Sequence, residues 1–147
     1  MKLLDVNVWL AAAWARHASH PIAKSWFDEQ EDDLAFCRVT EMSLLRLVTN
    51  PAVTGADALT RQNAWDLVLA LQDDPRVRFL PEPRRLGPAW VALSKRPDRS
   101  HLHWTDDYLA AFAQTTPATL VTLDRKFAAR YPSVTVEVLG ARSRKGR

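Results

Sequence analysis

The chain has 147 residues, 47% of them hydrophobic and 25% charged, a composition typical of one globular domain. Cys37 is the only cysteine, which excludes a disulfide-stapled scaffold and predicts a reducing compartment, the cytoplasm. The formal net charge is +3, but four basic residues lie in the last six positions, so the rest of the chain is nearly neutral.

The two ends of the chain carry distinct patterns. The N-terminal segment has a lysine followed by apolar residues, as an export signal does, but Asp5 and Asn7 interrupt it. We therefore expect no export signal, and no segment approaches the ~20 apolar residues of a membrane span. One domain is predicted for residues 1–140, followed by a basic tail at 141–147. The tail either binds an acidic partner such as nucleic acid or only keeps the chain in solution.

Five apolar runs predict β-strands, at residues 2–9, 34–39, 77–80, 119–123 and 134–139. The clearest of them lack strict alternation of apolar and polar residues, which is typical of parallel strands covered on both faces. The acidic run at residues 28–33 predicts a solvated turn before the second strand.

Helical signals lie between the predicted strands. Pro21 suits the first turn of a helix that runs through Trp26, and apolar residues at 64, 67, 68 and 71 have helical spacing. Thr40 and Thr105 are predicted N-caps, each followed by acidic residues in the first turn. Strands that alternate with helices predict an α/β fold, a three-layer α/β/α sandwich with a mainly parallel central sheet.

Four acidic residues fall at the ends of predicted elements. Asp5 lies toward the end of the first strand, and Asp124 ends the fourth strand. Glu41 and Asp106 open helices. The carboxyl ends of parallel strands and the following helix N-termini share one edge of the sheet, so all four carboxylates are expected to converge there. Favourable interaction with a helix dipole, or helix capping, is an alternative explanation for Glu41, Asp106 and Asp124. It does not explain Asp5, because a carboxylate in a buried strand needs a bonding partner.

Crowded carboxylates repel one another unless a cation lies between them. Ligation by oxygen atoms alone, without a Cys or His cluster, indicates Mg²⁺ or Mn²⁺ rather than zinc. Such a site supports phosphodiester hydrolysis by metal-activated water, without a side-chain nucleophile.

Four segments, at residues 3–7, 40–51, 104–113 and 120–127, resemble PIN-domain ribonucleases, specifically the VapC-type toxins of type II toxin–antitoxin modules. The four acids follow one another at spacings of 36, 65 and 18 residues, and the resemblance extends over about residues 2–139.

The resemblance implies an endoribonuclease toxin that inhibits translation or growth. It implies dependence on Mg²⁺, with Mn²⁺ able to substitute, cleavage to 5′-phosphate and 3′-hydroxyl ends, a cognate antitoxin as partner, and a homodimer. By motif, the catalytic and metal-binding quartet is Asp5, Glu41, Asp106 and Asp124. The residues expected to orient these ligands are Asn7, Thr122 and Asp107. Asp107 stands where the subgroup more often has a small residue, and Thr122 is equally well explained as a strand residue.

Candidate RNA contacts come from basic and aromatic residues. Residues 76–99 contain seven basic and two acidic side chains, which either bind phosphates or form a solvated loop. The candidates are Arg46, Arg84, Arg85, Arg96, Arg99 and Trp104. Trp104 either stacks on a base or packs in the protein. The remaining tryptophans with apolar neighbours are predicted in the core or a dimer interface: Trp9, Trp26, Trp65 and Trp90.

Three alternatives remain at this stage. A catalytically degenerate PIN module would only bind RNA or a protein partner. A haloacid-dehalogenase-like phosphatase also places an Asp at the end of its first strand, but it needs a second Asp where this chain has Asn7. A response-regulator receiver needs paired acids at the first strand end, which the residues around Asp5 do not provide.

Overall fold

The computed structural model describes residues 1–141, so the predicted basic tail lies, apart from Ala141, outside the described residues. The strands are β1 (Lys2–Leu4), β2 (Leu34–Phe36), β3 (Val77–Phe79), β4 (Thr119–Thr122) and β5 (Val136–Val138). The helices of the N-terminal half are α1 (Val6–Ala13), α2 (His20–Glu29), α3 (Arg38–Val48), α4 (Pro51–Thr54) and α5 (Arg61–Gln72). The later helices are α6 (Leu86–Ser94), α7 (Trp104–Thr115) and α8 (Phe127–Arg130).

The strands form one parallel sheet in the order β3-β2-β1-β4-β5. The chain builds outward from β1 to β3 on one side and then returns to place β4 on the other side of β1. The strand order therefore reverses between β1 and β4, and open α/β sheets bind ligands at this point, beyond the carboxyl ends of the strands.

Adjacent residues of each strand enter opposite cores, as the pleat of a strand requires. Leu4 packs in a core with α1, α2, α3 and α5, whereas Leu3 packs in a second core with α6, α7 and α8. Trp9 is fully buried in the first core and stacks on Phe36, with 3.8 Å between ring centroids. The predicted three-layer sandwich is confirmed.

The prediction of a strand over residues 2–9 is wrong beyond Leu4. Val6 to Ala13 form helix α1, of which Val8 to Ala12 are buried. A helix that is apolar on nearly all sides lacks the periodicity that distinguishes it from a buried strand. Similarly, the second predicted strand ends at Phe36, and α3 already begins at Arg38.

Both predicted N-caps are also wrong. Cys37 is the N-cap of α3, and Thr40 lies three positions later, where its hydroxyl accepts a hydrogen bond from the Cys37 backbone N–H at 3.0 Å. His103 precedes α7, so Thr105 lies within the first turn of that helix. In a capping box the side chains at both ends of the first turn bond to the backbone, and sequence alone does not show which end a threonine occupies.

Two surface predictions need similar adjustment. Trp65 is 45% exposed on α5, so it does not lie in the core, and its alternative place in a dimer interface stays a prediction. The predicted acidic turn is shorter than expected, because Asp28 and Glu29 belong to α2. Across residues 1–141, no helix combines the length and apolar character that a bilayer crossing requires.

Candidate functional site

Asp5 lies at the junction of β1 and α1. Its backbone is extended, with φ −62° and ψ 151°, and its carbonyl accepts the first hydrogen bond of the helix from Val8 N at 3.0 Å. Its carboxylate does not cap the helix, and instead Oδ2 accepts a hydrogen bond from the Thr122 hydroxyl at 2.8 Å. Asp5 therefore has a buried carboxylate that is directed to the end of β4.

A polar network joins the ends of β1 and β4. Thr122 Oγ1, which donates to Asp5, accepts hydrogen bonds from Asn7 Nδ2 at 3.2 Å and from the Asp124 backbone N–H at 3.0 Å. Asn7 Oδ1 accepts from the Leu123 backbone N–H at 3.2 Å. Asn7 and Thr122 thus form hydrogen bonds at the ends of β1 and β4, and their role in orienting metal ligands stays a prediction.

Arg130, which the sequence analysis did not single out, bridges two of the predicted carboxylates. Its Nη2 donates to Asp106 Oδ2 at 2.9 Å and to Asp124 Oδ2 at 2.6 Å. Its Nε is buried and has no acceptor among the described residues. The only sequence signal was a basic side chain six positions after Asp124, close to the predicted acidic cluster.

The electrostatics of the site reflect this crowding. Burial raises the pKa of Asp5 from 3.8 to about 6, partly offset by the Thr122 hydrogen bond and reinforced by the charges of Asp106 and Asp124. Burial also raises the pKa of Asp106, against the opposing charge of Arg130. Burial acts to raise the pKa of Asp124, but the hydrogen bonds from Arg130 and the Lys126 backbone, together with the charges of these two residues, lower it overall. These three carboxylates thus share one electrostatic environment.

Glu41 and Asp107 are held by other partners. Glu41 is buried on α3 at the same edge of the sheet, where it pairs with Arg38 and accepts a hydrogen bond from Gln72 Nε2 at 3.0 Å. Asp107 is also buried, and its Oδ1 accepts a hydrogen bond from the Tyr131 hydroxyl at 2.6 Å. The structure thus brings Asp5, Asp106 and Asp124 together, and it places Glu41 and Asp107 in separate hydrogen-bonded pairs.

The chemistry of the three clustered carboxylates fits a hard divalent cation. Within residues 1–141, no three Asp, Glu, His or Cys side chains are arranged to hold one metal ion together. Arg130 instead supplies the positive charge for Asp106 and Asp124, while its buried Nε lacks an acceptor in this part of the chain. The donor atoms are all carboxylate oxygens, the type that Mg²⁺ and Mn²⁺ prefer. A cation bound here would compete with Arg130 for Asp106 and Asp124.

The predicted RNA contacts are distributed over several surfaces. Arg84, Arg85 and Arg99 are exposed near α6 and in the loop that follows it. Arg46 is exposed in a different place, a groove between α3 and α5. Trp104 is 56% exposed and lines a cleft with Arg96, so it is not a core residue.

Comparisons with known proteins found a matching family model and related sequences. The family model of the PIN domain matches residues 2–131. Ribonuclease VapC41 of Mycobacterium tuberculosis is 41% identical over 133 residues, covering 86% of this chain and 91% of the relative.

Solved structures share the fold at low sequence identity. The sarcin–ricin-loop-cleaving toxin VapC20 of M. tuberculosis has a TM-score of 0.70 at 18% identity, covering 95% of this chain and 99% of that one. A toxin–antitoxin complex from Klebsiella pneumoniae has a TM-score of 0.63 at 17% identity, covering 94% and 97%.

Proposed function

The chain belongs to the PIN-domain family and is related to its VapC ribonucleases, and we propose that it is an endoribonuclease toxin that requires Mg²⁺ or Mn²⁺. The proposed reaction is hydrolysis of RNA phosphodiester bonds to 5′-phosphate and 3′-hydroxyl ends. Asp5, Asp106 and Asp124 are the proposed ligands of the cation, with Glu41 as the fourth carboxylate.

The observation that carries this proposal is the meeting of three carboxylates at the point where the strand order reverses. Asp5 follows β1, Asp124 follows β4, and Asp106 lies in the first turn of α7. The charges of Asp106 and Asp124 both act on the pKa of Asp5, although the three residues are far apart in sequence. A fold without a ligand here would gain nothing from burying an acid beside two like charges.

Each residue of the network has a proposed task. Thr122 holds Asp5 in one orientation through its hydroxyl, and Asn7 fixes Thr122 and the backbone after β4. Arg130 neutralises Asp106 and Asp124 and is released from at least one of them when the cation binds. When bound, the cation supplies activation of water and stabilisation of the charge that develops on the phosphate. At neutral pH, Asp5 with a pKa of about 6 is mainly ionised and ready to bind it.

The proposed partners follow from the family. A cognate antitoxin protein would hold the enzyme inactive, as expected from the VapC relationship. The proposed assembly is a homodimer, and the proposed compartment is the cytoplasm, which agrees with a single, buried cysteine. Arg84, Arg85 and Arg99 would contact RNA phosphates around the carboxylates.

The test is cleavage of total RNA by purified protein, freed of antitoxin, in Mg²⁺, in Mn²⁺ and in EDTA. Cleavage ends are mapped by sequencing, with and without enzymatic removal of 5′-phosphates. The variants are Asp5→Asn and, as a matched control, Asp66→Asn, which changes an exposed acid on α5.

We expect metal-dependent cleavage with 5′-phosphate ends in the wild type and in Asp66→Asn. The cleavage activity of Asp5→Asn should fall by more than the roughly 10–100-fold loss that follows removal of a residue that only supports a metal ligand. Cleavage in EDTA, or full activity of Asp5→Asn, would contradict the proposal. A folded wild-type protein that binds Mn²⁺ and RNA but cuts none would support the degenerate binding module instead.

A further inference from the structure

A narrow cleft lies beside the carboxylate cluster, between the end of α6 and the start of α7. We call it the α6–α7 cleft, and the lining residues that matter here are Arg96, His103, Trp104, Asp107, Arg130 and Tyr131. Arg130 connects the cleft with the carboxylate cluster, because it lines the cleft and donates hydrogen bonds to Asp106 and Asp124. A group bound in this cleft is therefore adjacent to the proposed cleavage centre.

Asp107 is the unusual residue of the cleft. It is only 7% exposed, and one carboxylate oxygen accepts a hydrogen bond from Tyr131 at 2.6 Å. Among residues 1–141 the hydrogen bond from Tyr131 is the only one to the Asp107 side chain, and its other oxygen, Oδ2, accepts none. Because Oδ2 is not one of the fully buried polar atoms that lack a partner, it is open to the cleft that Asp107 lines. Asp107 therefore has accepting capacity for N–H donors that enter the cleft.

Trp104 offers an apolar surface beside this acceptor. It is 56% exposed at the first position of α7, three residues before Asp107, so the two side chains lie about one helical turn apart. Exposed aromatic rings next to a basic surface are the usual platforms on which unpaired bases stack.

Arg96 lines the cleft just after α6, together with the acidic Asp98, and is held by two hydrogen bonds to backbone carbonyls. Arg96 donates from Nε to the Leu93 carbonyl at 2.9 Å and from Nη2 to the Arg130 carbonyl at 3.1 Å. Its guanidinium also lies 5.4 Å from the centre of the Tyr131 ring. These contacts fix Arg96 next to the Tyr131–Asp107 pair and add positive charge for a nucleotide phosphate.

We propose that the α6–α7 cleft binds a guanine base of the RNA, next to the bond that is cut, and that Asp107 reads this base. A carboxylate accepts two parallel N–H donors, and among the four RNA bases only guanine presents two adjacent donors, N1–H and N2–H, on its pairing edge. Trp104 provides the stacking surface, and the Tyr131 hydroxyl orients the carboxylate. This inference rests on the proposed ribonuclease function, because it names the sequence that the same site selects.

The first test measures binding without cleavage. Asp5→Asn protein in EDTA is titrated against fluorescein-labelled uridine heptamers whose central base is guanine, inosine, adenine or uracil, and affinity is read by fluorescence anisotropy. Inosine keeps N1–H but lacks the N2 amino group. We expect guanine to bind about 10-fold more tightly than adenine or uracil, and inosine to lose a large part of that preference.

Adding Asp107→Asn should abolish the guanine preference and leave the affinity for the all-uracil oligonucleotide unchanged. Adding Trp104→Ala should weaken binding of all four oligonucleotides. Because Trp104 is exposed, we expect this substitution to leave folding intact. Circular dichroism and thermal unfolding establish that each variant is folded. If Asp107→Asn does not fold, Asp107→Glu takes its place, with a reduced guanine-to-adenine ratio expected.

Equal affinity of the parent protein for the guanine, inosine and adenine oligonucleotides would overturn the inference, and so would an unchanged ratio in Asp107→Asn. The second test is sequencing of cut sites in a randomised RNA with the metal-loaded wild type. Guanine should occur at one fixed position relative to the cut and lose its enrichment in Asp107→Asn. Cleavage without base preference would refute the guanine site alone, whereas absence of cleavage together with guanine-selective binding would refute only the ribonuclease function.

Discussion

The raised pKa of Asp5 predicts an unusual stability effect for Asp5→Asn. Burial, reinforced by Asp106 and Asp124, raises this pKa from 3.8 to about 6. The folded state therefore binds the Asp5 proton more tightly than the unfolded state does. The stability contributed by this group is full below about pH 4 and is lost as the pH rises through about 6.

The amide introduced by Asp5→Asn does not titrate, and its oxygen still accepts the hydrogen bond from Thr122. Without metal, Asp5→Asn should exceed the wild type in unfolding free energy by about 1 kcal/mol at pH 4.5 and by about 3 kcal/mol at pH 7.5. In a chain of this size, 3 kcal/mol corresponds to an increase in Tm of roughly 6–12 °C. We therefore expect that the variant lacking this proposed cation ligand is more stable than the wild type.

The assay is urea unfolding in EDTA at pH 4.5, 6.0 and 7.5, followed by tryptophan fluorescence. Asp66→Asn, at an exposed position, serves as the control and should differ little from the wild type at any pH. A stability difference between Asp5→Asn and wild type that is the same at all three pH values would refute the reasoning. Addition of Mn²⁺ should stabilise the wild type but not the variant.

Three further predictions concern the arginines and the core. Arg130→Gln should tighten Mn²⁺ binding roughly five-fold in an EPR titration, because Asp106 and Asp124 lose a competing cation; weaker binding would contradict this role. Arg84→Ala with Arg85→Ala should weaken binding of every RNA and reduce the slope of log affinity against log salt by roughly 0.7 for each phosphate contact removed. An unchanged slope would place these residues outside the interface. Trp9→Ala should lower the unfolding free energy by about 3–5 kcal/mol in urea, whereas Trp65→Ala, 45% exposed, should cost less than about 1 kcal/mol; equal losses would refute the packing argument.

The strand and helix pattern predicted the layer architecture because the apolar runs and helical spacings extend over most of the chain. The prediction failed where a buried helix follows a strand without a break, at Val6. Since α1 is covered on most sides, its sequence has no polar face that would separate it from β1. Trp65 is not in the core, because helical spacing identifies a face without showing whether another element of the chain covers it, and its place in a dimer interface stays a prediction.

The candidate site was predicted from positions at element ends, and this reasoning works because parallel topology brings those ends to one edge. It predicted that four carboxylates converge, and the structure brings Asp5, Asp106 and Asp124 into one electrostatic environment while Glu41 pairs with other residues. The hydrogen bond between Asn7 and Thr122, 115 residues apart, was not predicted. It missed Arg130, because the partner of a carboxylate is fixed by side-chain packing and not by spacing. The Arg38–Glu41 pair, at i and i+3 on α3, was readable from the sequence as a competing contact of Glu41.

The central claim is that Asp5, Asp106 and Asp124 form one cation site. An EPR titration of Mn²⁺ into the metal-free wild type, Asp5→Asn, Asp124→Asn and the control Asp66→Asn tests it without any RNA. The account predicts that Asp5→Asn and Asp124→Asn each weaken the tightest Mn²⁺ site at least about 10-fold while Asp66→Asn leaves it unchanged. Mn²⁺ binding by Asp5→Asn with wild-type affinity would contradict the account.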